Sequence, residues 1–161
     1  MRTPARFAGG VPRNKKEGSP YGTQYWRFDG EGPAAVVPDE ELRGDDSRLI
    51  VREAERFVRS CTRDQRPFLA VVWFHAPHLP VVGSEADLAR YASAPGSKRH
   101  RHYYACLTAL DRSLGQLRAT LRDCGAASKT LLWYCSDNGP EGKSGAPGRT
   151  KRLRGRKRSL Y

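Results

Sequence analysis

Two continuous apolar runs, with a helical pattern between them, organise the second half of the chain. Residues 68–74 (FLAVVWF) and 130–135 (TLLWYC) are apolar and β-favouring, which is typical of strands buried on both faces. Between them, leucines recur at alternating steps of three and four and predict a long helix over roughly residues 101–123. These leucines are Leu107, Leu110, Leu114, Leu117 and Leu121. The order strand, helix, strand predicts a βαβ unit with a right-handed crossover.

The rest of the chain has weaker patterns. Apolar side chains at helical spacing from Ile50 to Cys61 predict a helix that Asp45 or Asp46 caps and that ends near residues 65–67. A short helical stretch is expected near residues 85–91, and Gly125 is a plausible residue to end the long helix. Residues 1–43 are rich in Gly, Pro and charge and predict an irregular, loop-rich segment with at most one short strand. Residues 44–161 then form the main α/β unit.

Polar loops follow both predicted strands. His75 to His78 follow the first strand, and Asp137–Asn138–Gly139 follow the second. In open α/β sheets, ligands bind beyond the carboxyl ends of parallel strands. We therefore expect the two loops to leave the same edge of the sheet and to bring two distant polar clusters together.

These clusters carry the candidate chemistry. Asp137 and Asn138 offer a carboxylate and an amide oxygen, hard ligands suited to Ca²⁺ or Mg²⁺, although the same residues also form ordinary turns. His78 could donate a hydrogen bond to an oxyanion or act as a general acid. His75 is the weaker candidate, because a residue at a strand end can point back into the fold.

The charge of the chain is strongly positive. Its net charge of +12 and pI near 10.0 indicate nucleic acid, acidic lipid or small anions as partners. Residues 143–158 contain many cations and no acid, which is typical of a solvated basic tail. Lys157 within this run could instead place a point charge on a sulfate or phosphate. The apolar finish Leu160–Tyr161 favours this second interpretation, because a solvated tail does not need it.

Other features exclude some classes of protein. The four cysteines are scattered, with no zinc-ligand spacing, and are expected to be reduced structural thiols. No run approaches the roughly 18 apolar residues of a membrane span. The N-terminus is basic but lacks the apolar stretch of a secretory signal, which leaves the compartment open.

Four motifs in order resemble the second half of the catalytic domain of a type I sulfatase. They are PFLAVVWFHAPHLP, HYYACLTALDRSLGQL, TLLWYCSDNGPEG and LRGRKRSLY. The similarity extends from about residue 44 to residue 161 and is greatest to bacterial arylsulfatases and N-acetylgalactosamine-6-sulfatase-like enzymes. It implies an alkaline-phosphatase-like fold, a mostly parallel sheet with flanking helices, that this chain covers incompletely at both ends.

The resemblance also implies roles for four residues. Asp137 and Asn138 would be ligands of a Ca²⁺ ion, His78 would contact the sulfate or the leaving-group oxygen, and Lys157 would bind the sulfate. The reaction so implied is hydrolysis of a sulfate ester, on a sulfated sugar or an aryl sulfate, by attack of a formylglycine hydrate on sulfur. Members of this family are often periplasmic or secreted.

The sequence also departs from the family pattern. The nucleophile motif C/S-x-P-x-R fits none of the cysteines, and Ser93 in SAPGS comes nearest but lacks the arginine. An early pair of metal-binding aspartates, a G-K-W-H-like segment and the E-G-G that follows S-L-Y in the family are also missing. We therefore expect a fragment that is inactive alone, holds Ca²⁺ weakly, and is poorly soluble through exposed apolar edges.

Two other functions fit parts of the pattern. A metal-dependent phosphoryl or phosphonate hydrolase of the same superfamily would use the same metal platform and basic residues. The third hypothesis is a basic module that binds nucleic acid through residues 143–158. Such binding would weaken steeply as the salt concentration rises. It ranks last because it gives the apolar strands and ordered motifs no role.

Overall fold

A computed structural model of the chain describes residues 6–12, 23–28, 32–41, 45–78, 81–142 and 147–159. Residues 143–146 of the basic run and the terminal Leu160 and Tyr161 lie outside these ranges. The elements in chain order are three strands, a long helix, a short helix and a second long helix, with single 3-10 turns at Asp39–Glu41 and Ala127–Lys129.

The N-terminal part forms a small antiparallel sheet. Its strands are β1 (Arg6–Pro12), β2 (Thr23–Phe28) and β3 (Ala35–Val36), in the order β1-β2-β3. The register aligns Ala8 with Trp26 and Trp26 with Val36. The structure thus contains three strands where the sequence predicted loop with at most one. Pairing between strands is non-local, and short segments broken by Gly and Pro show no period that reveals it.

Side chains of β2 attach this sheet to the first long helix. The guanidinium of Arg27 donates to both carboxylate oxygens of Glu53, at 2.7 and 3.1 Å, and to Glu41 at 3.1 Å. The hydroxyl of the buried Tyr25 donates to Asp46 Oδ2 at 3.2 Å. The contacts with Glu53 and Asp46 join residues more than twenty positions apart and fix the sheet against the helix.

The helices follow the sequence predictions closely. They are α1 (Asp46–Arg63), α2 (Glu85–Ala89) and α3 (Lys98–Asp123). Asp45 caps α1 by accepting a hydrogen bond from the Arg48 amide at 3.0 Å. Gly125 has φ +66°, the left-handed conformation that ends a helix such as α3. Both predicted end signals are confirmed; α3 ends at the predicted residue but begins three residues before the predicted start, and α2 ends at Ala89, before the predicted residue 91.

The hydrophobic core lies where α1 packs on α3. Val51 and Val58 of α1 meet Leu117 and Leu121 of α3, and Phe68, Phe74 and Ala126 pack against this cluster. The predicted leucine stripe is only partly the buried face, since Leu107 is 38% exposed. Ala105, Ala109 and Ser113 are buried instead. Small side chains permit close packing, a requirement that a count of leucines does not show.

An ion pair with a buried carboxylate connects α2 to α3. Both carboxylate oxygens of Asp87 accept from the guanidinium of Arg112, at 2.8 and 2.9 Å, and Oδ2 also accepts from the Ser84 hydroxyl. The Arg112 hydrogen bond holds the pKa of Asp87 below its usual range. The pair fixes the short α2 against the side of the long helix.

The two apolar segments differ from the prediction. Residues 68–74 and 130–135 form no ladder with any described part of the chain. Side chains of the first segment alternate, with Phe68 and Phe74 facing the core and Leu69, Val71 and Trp73 facing outward, as in a strand. The expectation that both faces are buried is therefore wrong for this chain. A strand enters a sheet only where another extended segment lies beside it, and no described segment pairs with either of these two.

Three further expectations can be compared with the structure. All four cysteines are free thiols, as predicted; Cys61 and Cys106 are buried, whereas Cys135 is exposed. Among the described residues, no helix is long and apolar enough to cross a membrane. The division at residue 44 into two parts stays a prediction.

Candidate functional site

The candidate site begins with the loop that follows the second apolar segment. The hydroxyl of Ser136 donates to the backbone oxygen of Asn138 at 2.7 Å, and the Asn138 amide nitrogen donates to the Gly139 oxygen at 2.9 Å. Asp137 and Asn138 are both exposed. The loop thus forms a compact turn that uses the amide nitrogen and leaves the Asp137 carboxylate and the Asn138 amide oxygen for a ligand.

The basic segment returns to this loop and pairs with it. The amide of Lys157 donates to the Pro140 oxygen at 3.0 Å, and Glu141 and Lys157 form a parallel bridge. Residues 147–159 are therefore held against the loop rather than extending away from it. The structure places the backbone of Lys157 beside Pro140, two residues after Asn138; a joint site of Lys157 with Asp137 and Asn138 stays a prediction.

Two arginines hold this pairing in place. Arg156 donates to the backbone oxygens of Glu141, at 3.1 Å, and Gly148, at 3.4 Å. Arg158 Nε lies 3.1 Å from both carboxylate oxygens of Glu141. Lys157, half-buried between them, has no ion-pair partner among the residues that the structure describes. Its ammonium is therefore one cation that this segment can offer to a ligand.

Gly139 lies against the basic segment. A Cβ built on Gly139 would lie 3.4 Å from Arg156 Cα and 3.6 Å from the methyl group of Thr150, which are ordinary van der Waals distances. The turn of the loop, the Thr150 side chain and the Arg156 backbone are therefore packed together. This contact joins residues seventeen positions apart, so the sequence did not indicate it.

An open depression lies beside this contact. One wall is the loop from Ser136 to Pro140, and the other is residues 149–153, with three cationic side chains. We call it the cationic depression; it is lined by Ser136, Asn138, Gly139, Pro140, Arg149, Thr150, Lys151, Arg152 and Leu153. Sequence reasoning counted these cations as one basic run and did not separate them from Arg156 and Arg158, whose side chains serve the fold.

Tyr103, near the start of α3, lies next to Gly148 of the basic segment. A Cβ on Gly148, which has φ +111°, would lie 3.3 Å from the Tyr103 hydroxyl and 3.1 Å from Pro140. Burial, and then the neighbouring Tyr104 and Tyr134, raises the pKa of Tyr103. The phenol therefore stays neutral at physiological pH and can act only as a hydrogen-bonding group near the loop.

The loop after the first apolar segment, residues 75–78, contacts the start of α1. His75 Nδ1 lies 3.7 Å from Asp46 Oδ2, at the start of α1, and the rings of His75 and His78 are 5.3 Å apart. The His78 amide donates to the His75 oxygen at 2.8 Å, and the Ala76–Pro77 peptide bond is cis. Sequence reasoning missed Asp46 as a neighbour of His75, because the two residues are 29 positions apart. The meeting of His78 with the Asp137 loop stays a prediction.

The described residues supply only part of a cation site. Ca²⁺ takes six to eight oxygen ligands, and Asp137 and Asn138 provide two groups of the right chemistry. Among the residues described, no cluster of three or more His, Cys, Asp or Glu side chains could hold a metal ion. These residues by themselves therefore do not fit a complete calcium site.

Comparisons with known proteins identify the family. The family model described as Sulfatase matches residues 7–160. The chain is 28% identical to N-acetylgalactosamine-6-sulfatase of Canis lupus familiaris and 33% identical to arylsulfatase G of Rattus norvegicus, over 58% of this chain in each case. It covers 16% and 17% of those two proteins. The chain thus spans about a sixth of the length of these curated relatives.

Solved structures give the same result. The crystal structure of Ps i-CgsB is 28% identical and matches 63% of this chain and 22% of its own, with a TM-score of 0.58. The sulfatase yidJ from Bacteroides fragilis matches 66% of this chain and 28% of its own, with a TM-score of 0.51 and 18% identity, and so supports the fold alone. The chain therefore belongs to the sulfatase family, and its described residues form part of that family's alkaline-phosphatase-like α/β fold.

Proposed function

We propose that Asp137, Asn138 and Lys157 form the part of a sulfatase active site that receives the sulfate group of a sulfate ester. The observation that carries this proposal is the pairing of the Lys157 amide with the Pro140 oxygen at 3.0 Å. It holds the Lys157 backbone against the loop that carries two exposed oxygen ligands, although Lys157 follows Asn138 by nineteen positions. A tail without a binding role has no need for this arrangement.

Hydrolysis of a sulfate ester sets two requirements for such a site. Charge on the sulfuryl oxygens must be neutralised, and the leaving-group oxygen must receive a proton. Lys157 meets the first requirement with a compact ammonium that has no described ion-pair partner. We assign His78 to the second, because its loop follows the other apolar segment.

The proposed metal is Ca²⁺, as the family resemblance implies. Asp137 and Asn138 would supply two of its oxygen ligands, and the remaining ligands would come from residues other than those described here. When bound, such an ion would neutralise charge on the sulfate. Because the described donors do not complete the site, no step is assigned to the ion.

This chain by itself is proposed to bind sulfate esters without turning them over. None of its cysteines or serines stands in the C/S-x-P-x-R motif that supplies the family's nucleophile, and loss of a nucleophile removes a covalent route. The substrate is proposed to be a sulfated sugar, with an aryl sulfate as the alternative. A sugar is favoured because the similar Ps i-CgsB structure was also solved with k-i-k-neocarrahexaose.

A phosphoryl or phosphonate ester is the second candidate substrate, since a lysine and hard oxygen ligands suit that anion too. The sulfatase family match favours sulfate. Binding of nucleic acid ranks third. Arg156 and Arg158 are occupied by contacts within the chain, which leaves fewer free cations than the basic run suggested.

Equilibrium binding to the full chain tests the proposal. We expect 4-nitrophenyl sulfate to bind more tightly than methyl 4-nitrophenyl phosphate, which carries the same single charge. Lys157→Met should weaken sulfate binding about fivefold. Lys129→Met, which removes an exposed lysine at the other end of the second apolar segment, should not. Equal effects of the two substitutions would contradict the proposed site, and tighter phosphate binding would favour the second candidate.

A further inference from the structure

The cationic depression contains three positive side chains that the fold does not use. Arg149, Lys151 and Arg152 are exposed, and none has an acidic partner among the described residues. Arg156 and Arg158, in the same segment, are instead held by the backbone and side-chain oxygens of Glu141. Uncompensated like charges in one turn repel each other, and a bound anion would relieve that repulsion.

The turn that carries these cations is fixed in position. The Leu153 amide donates to the Thr150 oxygen at 2.8 Å, and the Thr150 methyl group packs near Gly139. Lys151 has φ +48°, in the left-handed region that side chains other than glycine rarely adopt. Such backbone conformations persist where the surrounding structure holds them, and they cluster at ligand sites. The turn therefore presents its cations in one place beside the loop.

We propose that Arg149, Lys151 and Arg152 form a second anion subsite, which binds a further sulfate group of a polysulfated saccharide. The proposal rests on the proposed function, because Asn138 lines the depression and also belongs to the proposed sulfate site. A ligand that reaches both places needs one sulfate at Lys157 and another at the depression. The second sulfate is not cleaved; it positions the ligand through ion pairs with these cations.

Binding of two matched saccharides to the full chain tests this subsite. The probes are a disaccharide with one sulfate and the same disaccharide with two, titrated at low and at physiological ionic strength. We expect the disulfated sugar to bind more tightly. Replacing Arg149, Lys151 and Arg152 together by Gln should abolish that preference, with a loss of about twofold to fivefold per cation, while affinity for the monosulfated sugar is kept.

A control variant removes the same charge elsewhere. Replacing Arg118, Arg122 and Lys129 by Gln takes three exposed cations from the end of α3 and the turn after it, and it should leave the preference intact. Lys151→Gly offers a second variant, since glycine accepts the left-handed backbone; it should lower only the affinity for the disulfated sugar. Circular dichroism verifies that each variant is folded.

The outcomes separate this proposal from the one on which it rests. If the monosulfated sugar does not bind but the preference for two sulfates is lost in the Gln variant, the subsite stands and the primary site fails. If the Gln variant loses as much affinity for the monosulfated sugar as for the disulfated one, or keeps the preference, the subsite is wrong. Duplex DNA that binds as tightly as the disulfated sugar at physiological salt would also overturn it, in favour of nucleic acid.

Discussion

Apolar side chains in the helices of this chain are buried, whereas those in its two apolar segments are largely exposed. Val51 and Leu117 lie in the interface of α1 with α3. Leu131, Trp133 and Trp73 are exposed by 87%, 78% and 84%. Both regions are hydrophobic by sequence, so the difference comes from available partners and not from composition.

The comparison shows which part of the fold this chain can stabilise by itself. Two helices bury their apolar faces against each other within one chain. A strand with two apolar faces needs a layer on each side and a neighbour at each edge. Among the described residues, the helices cover one face of residues 68–74, and the other face is exposed to solvent.

Truncation of a core leucine should give the largest effect on stability. Leu117→Ala removes a side chain that is 6% exposed, and we expect the free energy of unfolding to fall by about 2–5 kcal/mol. Leu131→Ala removes the same atoms from a bare segment and should change it by less than about 0.5 kcal/mol. Urea denaturation followed by circular dichroism measures both. Similar losses would show that the second segment is covered in solution.

Thiol alkylation should distinguish the same two regions chemically. Burial raises the pKa of Cys106, on α3, to about 11, which lowers its thiolate fraction about a hundredfold relative to an ordinary thiol. Cys135 is exposed at the end of the second segment. Iodoacetamide followed by mass spectrometry should modify Cys135 first and Cys106 only after denaturation. Simultaneous modification of both would contradict the packing of the helices.

Loss of the ion pair between Asp87 and Arg112 should weaken the helical region in a pH-dependent way. Asp87→Asn removes the closer of the two carboxylates that Arg112 contacts, at 2.8 Å compared with 3.5 Å for Asp45, and we expect a loss of about 1–3 kcal/mol at neutral pH. Since the pKa of Asp87 is lowered in the fold, the wild-type advantage is present above the unfolded value of about 3.9 and disappears as the pH falls through the folded value.

Denaturation of both proteins between neutral pH and strongly acidic pH measures this dependence. Asp111→Asn, on the same helix and exposed, is the matched control and should have little effect. An Asp87→Asn deficit that persisted unchanged in strong acid would show that the lost carboxylate charge is not its cause.

Substitution on the bare segments should change stability least and solubility most clearly. Trp73→Thr removes an exposed aromatic surface and introduces a β-branched side chain, which suits an extended segment. We expect the free energy of unfolding to change by less than about 0.5 kcal/mol, and the soluble concentration to rise because a smaller apolar patch is exposed. Phe74→Thr, which faces the helices, should instead destabilise the chain.

The helices and their ends followed from local sequence, because caps, periodicity and glycine conformations act within a few residues. Asp45, Gly125 and the bounds of α3 were predictable for this reason. The N-terminal sheet was missed, and the ladder expected for residues 130–135 did not form, because both depend on strands elsewhere.

The residue types of the candidate site could be predicted from the sequence, whereas the contacts that hold the site together could not. Asp137, Asn138 and Lys157 were recognisable as residue types at a predicted strand end and in an ordered motif. The contacts of Arg156 and Arg158 with Glu141, which hold the basic segment against the loop, could not be predicted. A basic run does not show which of its cations the fold uses. For the same reason the sequence did not distinguish the three cations of the cationic depression from these two arginines.

The most direct test of the anion site is the response of backbone amides to a sulfate ester. In a titration of the isotopically labelled full chain with 4-nitrophenyl sulfate, amide resonances of residues 138, 139, 141, 142 and 156–158 should shift together with one dissociation constant. Lys157→Met should reduce both sets of shifts in parallel. Shifts confined to one of the two segments, or spread over cations throughout the chain, would contradict a single site formed by the loop and Lys157.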